Sequence, residues 1–233
     1  MYKTVLHDYR YHRKDGFRNL LSIPGIWFVY LYPLWFLPAV SDMGFREAAV
    51  FFSAMVPVLF SLMLSRMYGG QIGKTLFLCP MSKEDRRAYV KAGMRIRIGF
   101  CVGLFLVLHA VLAALGWITL PMFAAKLTVM ILSAVSVNIY CQPDHKGDDG
   151  TKRSYPLRGN YAIWDMLAQI MCIVNMVLLS MYEGNERLWE LILTAALILF
   201  QFAVCMELVC KFYPQVLEHT VCYESGWKEE NKK

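Results

Sequence analysis

Six apolar runs, each about as long as a membrane-crossing helix, occupy residues 22–40, 47–65, 96–116, 120–140, 162–181 and 188–209. A hydrocarbon core of about 30 Å takes about 20 helical residues to cross. Inside lipid no water is present to satisfy the peptide groups. A helix bonds its own, whereas an open strand cannot. The two-residue alternation of a membrane β-barrel is missing from these runs. Composition agrees, since 57% of the residues are hydrophobic and 18% charged, against about a quarter charged in a soluble domain. The expected fold class is an all-α membrane protein with six transmembrane helices.

Charge placement orients the bundle. The chain carries 24 Lys and Arg. All but Arg46, Lys126 and Arg187 fall in residues 1–21, 66–97, 141–161 and 210–233, which lie on one side of the six runs. Basic loops stay on the cytoplasmic side, so both termini are expected inside. The net charge of +6 follows from that topology, and no nucleic-acid partner is expected. The outer connections are short, so no external domain is expected. The first run follows a stretch containing Asp8 and Asp15, and residues 39–41 make a poor cleavage site. A retained first helix is therefore expected rather than a signal peptide.

Three regions follow: an interfacial amphipathic segment 1–21, a six-span domain 22–212 and a cytoplasmic tail 213–233. In the first, Val5, Leu6, Tyr9, Phe17 and Leu20 are expected to face lipid while Lys3, Arg10, Arg13, Lys14 and Arg18 meet headgroups. The loop 141–161 reads as polar and mobile. Its Cys141 and His145, near Asp144, Asp148 and Asp149, are expected to be solvated rather than metal-bound. None of the seven cysteines lies in an outer loop, and no disulfide is expected.

Little in the chain suggests catalysis. Gly73-Lys74-Thr75 ends like a phosphate-binding loop, but the first glycine of that motif would stand at Tyr68. No Ser-His-Asp set, Cys-His set or HExxH is present. His109 and Lys126 fall in the outer halves of neighbouring spans. A central lysine costs about 3 kcal/mol on insertion scales. The plain reading has Lys126 snorkelling outward, with Glu190 as partner. The sharper one has it lining a polar exit path. Gln169, Asn175 and Gln201 are expected to bond between helices. Asp165, Gln169, Cys172 and Met176 share one face of span five, and Glu207 and Lys211 stand four apart as an interfacial pair.

Between spans two and three, Pro80 breaks any preceding helix. Ser82 is a suitable N-cap with Asp85 three residues on, and Glu84 and Asp85 suit the positive end of a helix. A short charged helix over about 82–92 is expected, hinged to both neighbouring spans. Gly93 ends it, just before Arg95 and Arg97 anchor span three.

Thr75, Leu76, Leu78, Pro80, Ser82, Lys83 and Lys91 resemble the inner loop of membrane subunits in type-two ATP-binding-cassette (ABC) exporters. There a Gly-Thr-Leu, Pro-hydrophobic-Ser-basic pattern follows span two, and the helix after the serine docks on the ATPase as a coupling helix. Phe77 and Leu78 stand where many relatives carry an acid, and residues 181–188 are short where some carry an external segment. Those departures lean toward small bacterial permeases.

The resemblance implies a permease subunit in the cell membrane that exports a hydrophobic or amphipathic substrate, such as a peptide, antibiotic or lipid-like molecule. It implies coupling through Pro80, Ser82, Lys83, Glu84, Asp85, Arg86, Arg87 and Lys91. It implies ATP and Mg bound by separate cytosolic ATPase subunits, none in this chain, and a second permease chain, identical or different. Spans two and five would line the path, making Phe52, Met55, Phe60, Gln169 and Asn175 path candidates; His109 and Lys126, in spans three and four, join them as the polar exit read from the residues above. The alternatives are a six-span membrane enzyme or protease, and a membrane scaffold or sensor that recruits a cytosolic partner.

Overall fold

The computed structural model describes residues 1–11, 44–68, 81–139, 144–146, 152–154, 160–181 and 188–221. The first apolar run and Pro80 lie outside them. Seven α-helices are described: α1 Tyr2–Tyr11, α2 Phe45–Tyr68, α3 Lys83–Ala114, α4 Leu120–Asn138, α5 Tyr161–Met181, α6 Leu188–Glu207 and α7 Tyr213–Val221. A π-helical turn, Leu208–Phe212, joins α6 to α7 without a break. Strands β1 (Asp144–Lys146) and β2 (Lys152–Ser154) form an antiparallel hairpin with His145 opposite Arg153. The hairpin lies within the polar stretch 141–161.

Five of these segments are long and apolar enough to cross a membrane: Phe45–Leu62, Lys83–Ala114, Leu120–Asn138, Tyr161–Leu179 and Leu191–Glu218. They match the expected runs two to six closely at most ends. α2 is the most enclosed and packs against α3, α4 and α5, while α4 also meets α3 and α6. The core between them holds Ala54, Val58, Leu64, Cys101, Phe105, Val129, Met130, Cys172 and Met176. Outward residues such as Val107, Leu120, Ile192 and Leu199 remain exposed, as a surface facing hydrocarbon requires. Pro57 lies inside α2 and is accommodated within the helix. Its missing N–H frees the carbonyl four residues back, at Ser53.

α3 does not follow the expected plan. Residues 82–92 are not a separate hinged helix but the first turns of α3, which runs unbroken for 32 residues. At 1.5 Å per residue that is about 48 Å, well beyond a hydrocarbon core. Gly93 is buried inside this helix and does not end it. A glycine costs a helix interior about 1 kcal/mol, a deficit smaller than the packing gained on either side of it. Tyr89 and Ala92 enclose Val5 of α1, and Met94 packs on the cluster around Phe212 and Val216. Val5 therefore does not face lipid as its place in the amphipathic segment suggests; it is fully buried against α3.

The far end of α3 closes with a defined stop. Gly116 has φ of +67°, a conformation glycine adopts without a Cβ penalty. The N–H of Gly116 donates to the Ala113 carbonyl and that of Trp117 to the Leu112 carbonyl, both at 2.9 Å. This is the paired pattern of a Schellman cap. Trp117 packs on Leu112 and Ile118 to complete it, and Arg46 Nη2 donates to the Trp117 carbonyl at 2.9 Å, fastening the start of α2 to the same corner.

Candidate functional site

Two groups of residues stand out: the basic end of the bundle, and three polar clusters buried between the spans. At the basic end, Ser82 caps α3. Its Oγ accepts from the Asp85 N–H at 3.1 Å and donates to Asp85 Oδ2 at 2.7 Å. Such a cap contributes about 1 kcal/mol. Ser82, Lys83, Glu84, Asp85 and Lys91 are exposed, and Arg86 and Arg87 are half-buried. The segment is therefore a charged helix end projecting past the apolar part of its span.

α7 lies alongside it. Arg87 Nη2 donates to Glu218 Oε1, and Lys83 Nζ pairs with Glu218 Oε2 at 3.1 Å. Lower down, Glu207 and Lys211 form the expected pair, at 2.7 Å. Further along α3, Arg95 Nη1 donates to the Tyr2 hydroxyl of α1 at 3.2 Å. Two helices, α1 and α7, thus converge on the first half of α3.

Deeper, Arg97 Nε donates to Asn138 Oδ1 at 2.8 Å. Asn138 Nδ2 in turn donates to Ser61 Oγ at 3.2 Å and to the Ala134 carbonyl at 2.7 Å. The set ties α3, α4 and α2. A second set ties α5, α6 and α4: Asn175 Nδ2 donates to Gln201 Oε1 at 2.6 Å, and Gln201 Nε2 to Ser133 Oγ at 2.9 Å. Asn175 and Gln201 therefore bond between helices as expected, whereas Gln169 bonds within its own helix, to Asp165 Oδ2 at 2.9 Å. Replacing Gln201 with leucine severs all three helices at once. It is expected to cost about 1–2 kcal/mol of thermal stability in detergent. Asn175→Leu added to it is expected to cost little more, because both remove one shared bond.

The third cluster lies toward the opposite end. His109 is fully buried, with Nδ1 bonded to the Phe105 carbonyl at 3.1 Å and its ring stacked on Phe105 at 3.7 Å. Nδ1 donates to that carbonyl, which leaves Nε2 as an acceptor with no hydrogen-bond partner among the described residues. Phe123 stands 6.4 Å from both rings. Lys126, one turn further along α4, is also fully buried and within electrostatic reach of His109. It does not snorkel. Its side chain turns into the bundle, and Glu190 lies outside the residues whose side chains are described.

The other path candidates belong to packed interfaces. Phe60 is buried and Phe52 half-buried in a cluster with Val56, Phe100 and Leu104 between α2 and α3, and Met55 packs on the central core. Cys172 and Met176 are fully buried, as the shared face of span five requires. Sequence reasoning does not single out Asn138, Ser61, Ser133 or Glu218, and it places Arg97 at the interface rather than in a buried set. The small polar residues Ser133 and Ser136, three apart and just before Asn138, are the available signal, because small polar residues mark helix contacts in membranes.

Among the described residues no three His, Cys, Asp or Glu gather as metal ligands. Cys101, Cys172, Cys205 and Cys210 are free thiols. None of the protein-family models, curated proteins or solved structures compared with the chain matches it. The residues and their geometry establish an all-α, multi-helix protein with five candidate membrane spans among the described residues and a charged helical extension at one end.

Proposed function

We propose that the chain is the permease subunit of an ABC exporter in the plasma membrane. It moves a hydrophobic or amphipathic substrate, such as a peptide, antibiotic or lipid-like molecule, outward. ATP and Mg are held by separate cytosolic ATPase subunits, and a second permease chain completes the translocation unit. One observation carries the reading. The segment that resembles a coupling helix is an exposed, serine-capped, charged helix end, and it is rigidly continuous with a membrane span.

Continuity alters the mechanism the resemblance implies. A hinged connector would rock between two spans, whereas an unbroken rod carries displacement at 82–91 directly along span three. ATP closure of the partner subunits favours one arrangement of the spans only through contacts that differ between the two arrangements. The exposed charges at 82–91 supply those contacts. The buried clusters at Arg97–Asn138 and Asn175–Gln201 are discrete bonds that a shift between helices makes or breaks.

Purification in a mild detergent, followed by mass spectrometry of the intact assembly, tests this. An ATPase subunit retained at fixed stoichiometry is the expected result, and its consistent absence rejects the reading. Retention of a soluble protein without a nucleotide site favours the scaffold alternative instead.

A further inference from the structure

We infer that Glu218 fastens the C-terminal helix to the coupling segment, so that span six follows the first turns of α3 along with span three. The inference deepens the coupling reading above and rests on it. Lys83 and Arg87 stand four apart on α3 and so present two cations on one face. The single carboxylate of Glu218 engages both, Oε1 with Arg87 and Oε2 with Lys83 at 3.1 Å. Nearer the membrane α3 and α7 also pack together, and Met94 of α3 joins the apolar cluster that contains Phe212 and Val216. The contact is polar at the tip and apolar at the root.

Two features give this fastening a role beyond tethering a tail. α7 is no independent tail, because it continues span six through the π-helical turn Leu208–Phe212. Such turns replace the regular ladder with wider bonds and recur at functional positions in helices. Lys83 and Glu218 are both about half exposed, and exposed ion pairs are individually weak. The fastening can therefore open and re-form in response to a partner bound at 82–91. Displacement there reaches span three through a rod and span six through a latch.

Hydrogen–deuterium exchange reads both parts. In the purified permease alone, Glu218→Lys is expected to speed exchange of the α7 amides, residues 213–221, by about fivefold. Adding Lys83→Glu and Arg87→Glu to that variant is expected to return the rates to those of the unaltered protein. Unchanged α7 exchange in Glu218→Lys overturns the latch, and failure of the reversed pair to restore it does the same. In the complex with its ATPase, trapping with ATP and vanadate is expected to alter exchange at the far end of α6, residues 188–199. Glu218→Gln is expected to reduce that response by at least about half, and an undiminished response overturns the link to span six. Absence of a retained ATPase counts against the permease reading, while the α7 rates of the isolated chain still decide the latch.

Discussion

Phe212→Ala is expected to destabilise the folded protein by about 3–5 kcal/mol, the range for truncating a fully buried aromatic. Phe212 is completely enclosed and belongs to the π-helical turn where span six becomes α7. Its ring lies 5.5 Å from that of Tyr161, and Ile139, Leu208, Val216 and Met94 complete the cluster. The end of α4, the start of α5, the middle of α3 and the α6–α7 joint therefore meet around one side chain. Tyr161 also donates its hydroxyl to the Ile139 carbonyl at 3.1 Å, so the neighbours are held and collapse poorly into the vacated space. Thermal or denaturant unfolding in detergent, followed by circular dichroism, gives the measurement. Phe212→Leu keeps most of the volume and is expected to lose less than about 1.5 kcal/mol. Equal losses in the two variants would show that the ring's volume is not what holds the joint.

If the proposed coupling role holds, charge reversal at Arg86 and Arg87 is expected to weaken ATPase retention sharply while leaving the chain folded. Both residues lie in the first turn and a half of α3, half-buried. Surface ion pairs contribute about 1 kcal/mol or less to folding, so the unfolding midpoint of Arg86→Glu/Arg87→Glu should move little. Charged pairs across an interface cost about 2–5 kcal/mol when one partner is removed. That range corresponds to at least about tenfold less ATPase retained. Reversal also sets a carboxylate at position 87 against Glu218. Glu218→Arg in the same background removes that repulsion, and it separates the lost interface from the lost latch. Retention at the original level in the double variant would count against the proposed coupling role of Arg86 and Arg87.

Most limits of spans two to six were legible because each is a local property, an apolar run ended by polar or helix-breaking residues; the start of span three and the end of span six were not, since both helices run on past their apolar stretch. The Ser82 cap, the Glu207–Lys211 pair and the inward face of α5 were legible for the same reason, since their partners lie within one turn. Gly93 misleads because its helix cost is local while the packing that outweighs it comes from Val5, 88 positions away in the chain. Lys126 misleads because snorkelling is the default for an isolated helix, and the side chain instead turns into a bundle no single run describes. Arg97 reads as an interfacial anchor by its place in the basic stretch, yet it is buried against Asn138. Partners of that kind depend on which helices touch, which periodicity within one helix does not encode.

The Schellman stop at Gly116 has a kinematic consequence. Only residues 115–119 separate α3 from α4, and the three beyond the Gly116 stop span at most about 11 Å, so the two rods are pinned together at that corner. Any relative tilt between them would therefore be greatest at their far ends. α4 is 19 residues long, a lever arm of about 28 Å, with the Arg97–Asn138 bond at its free end. A tilt of about 5° swings that end by about 2.4 Å. A 2.8 Å bond is then far outside hydrogen-bonding range. A tilt that leaves the packing near Trp117 nearly unchanged would thus be enough to break the bond at Asn138.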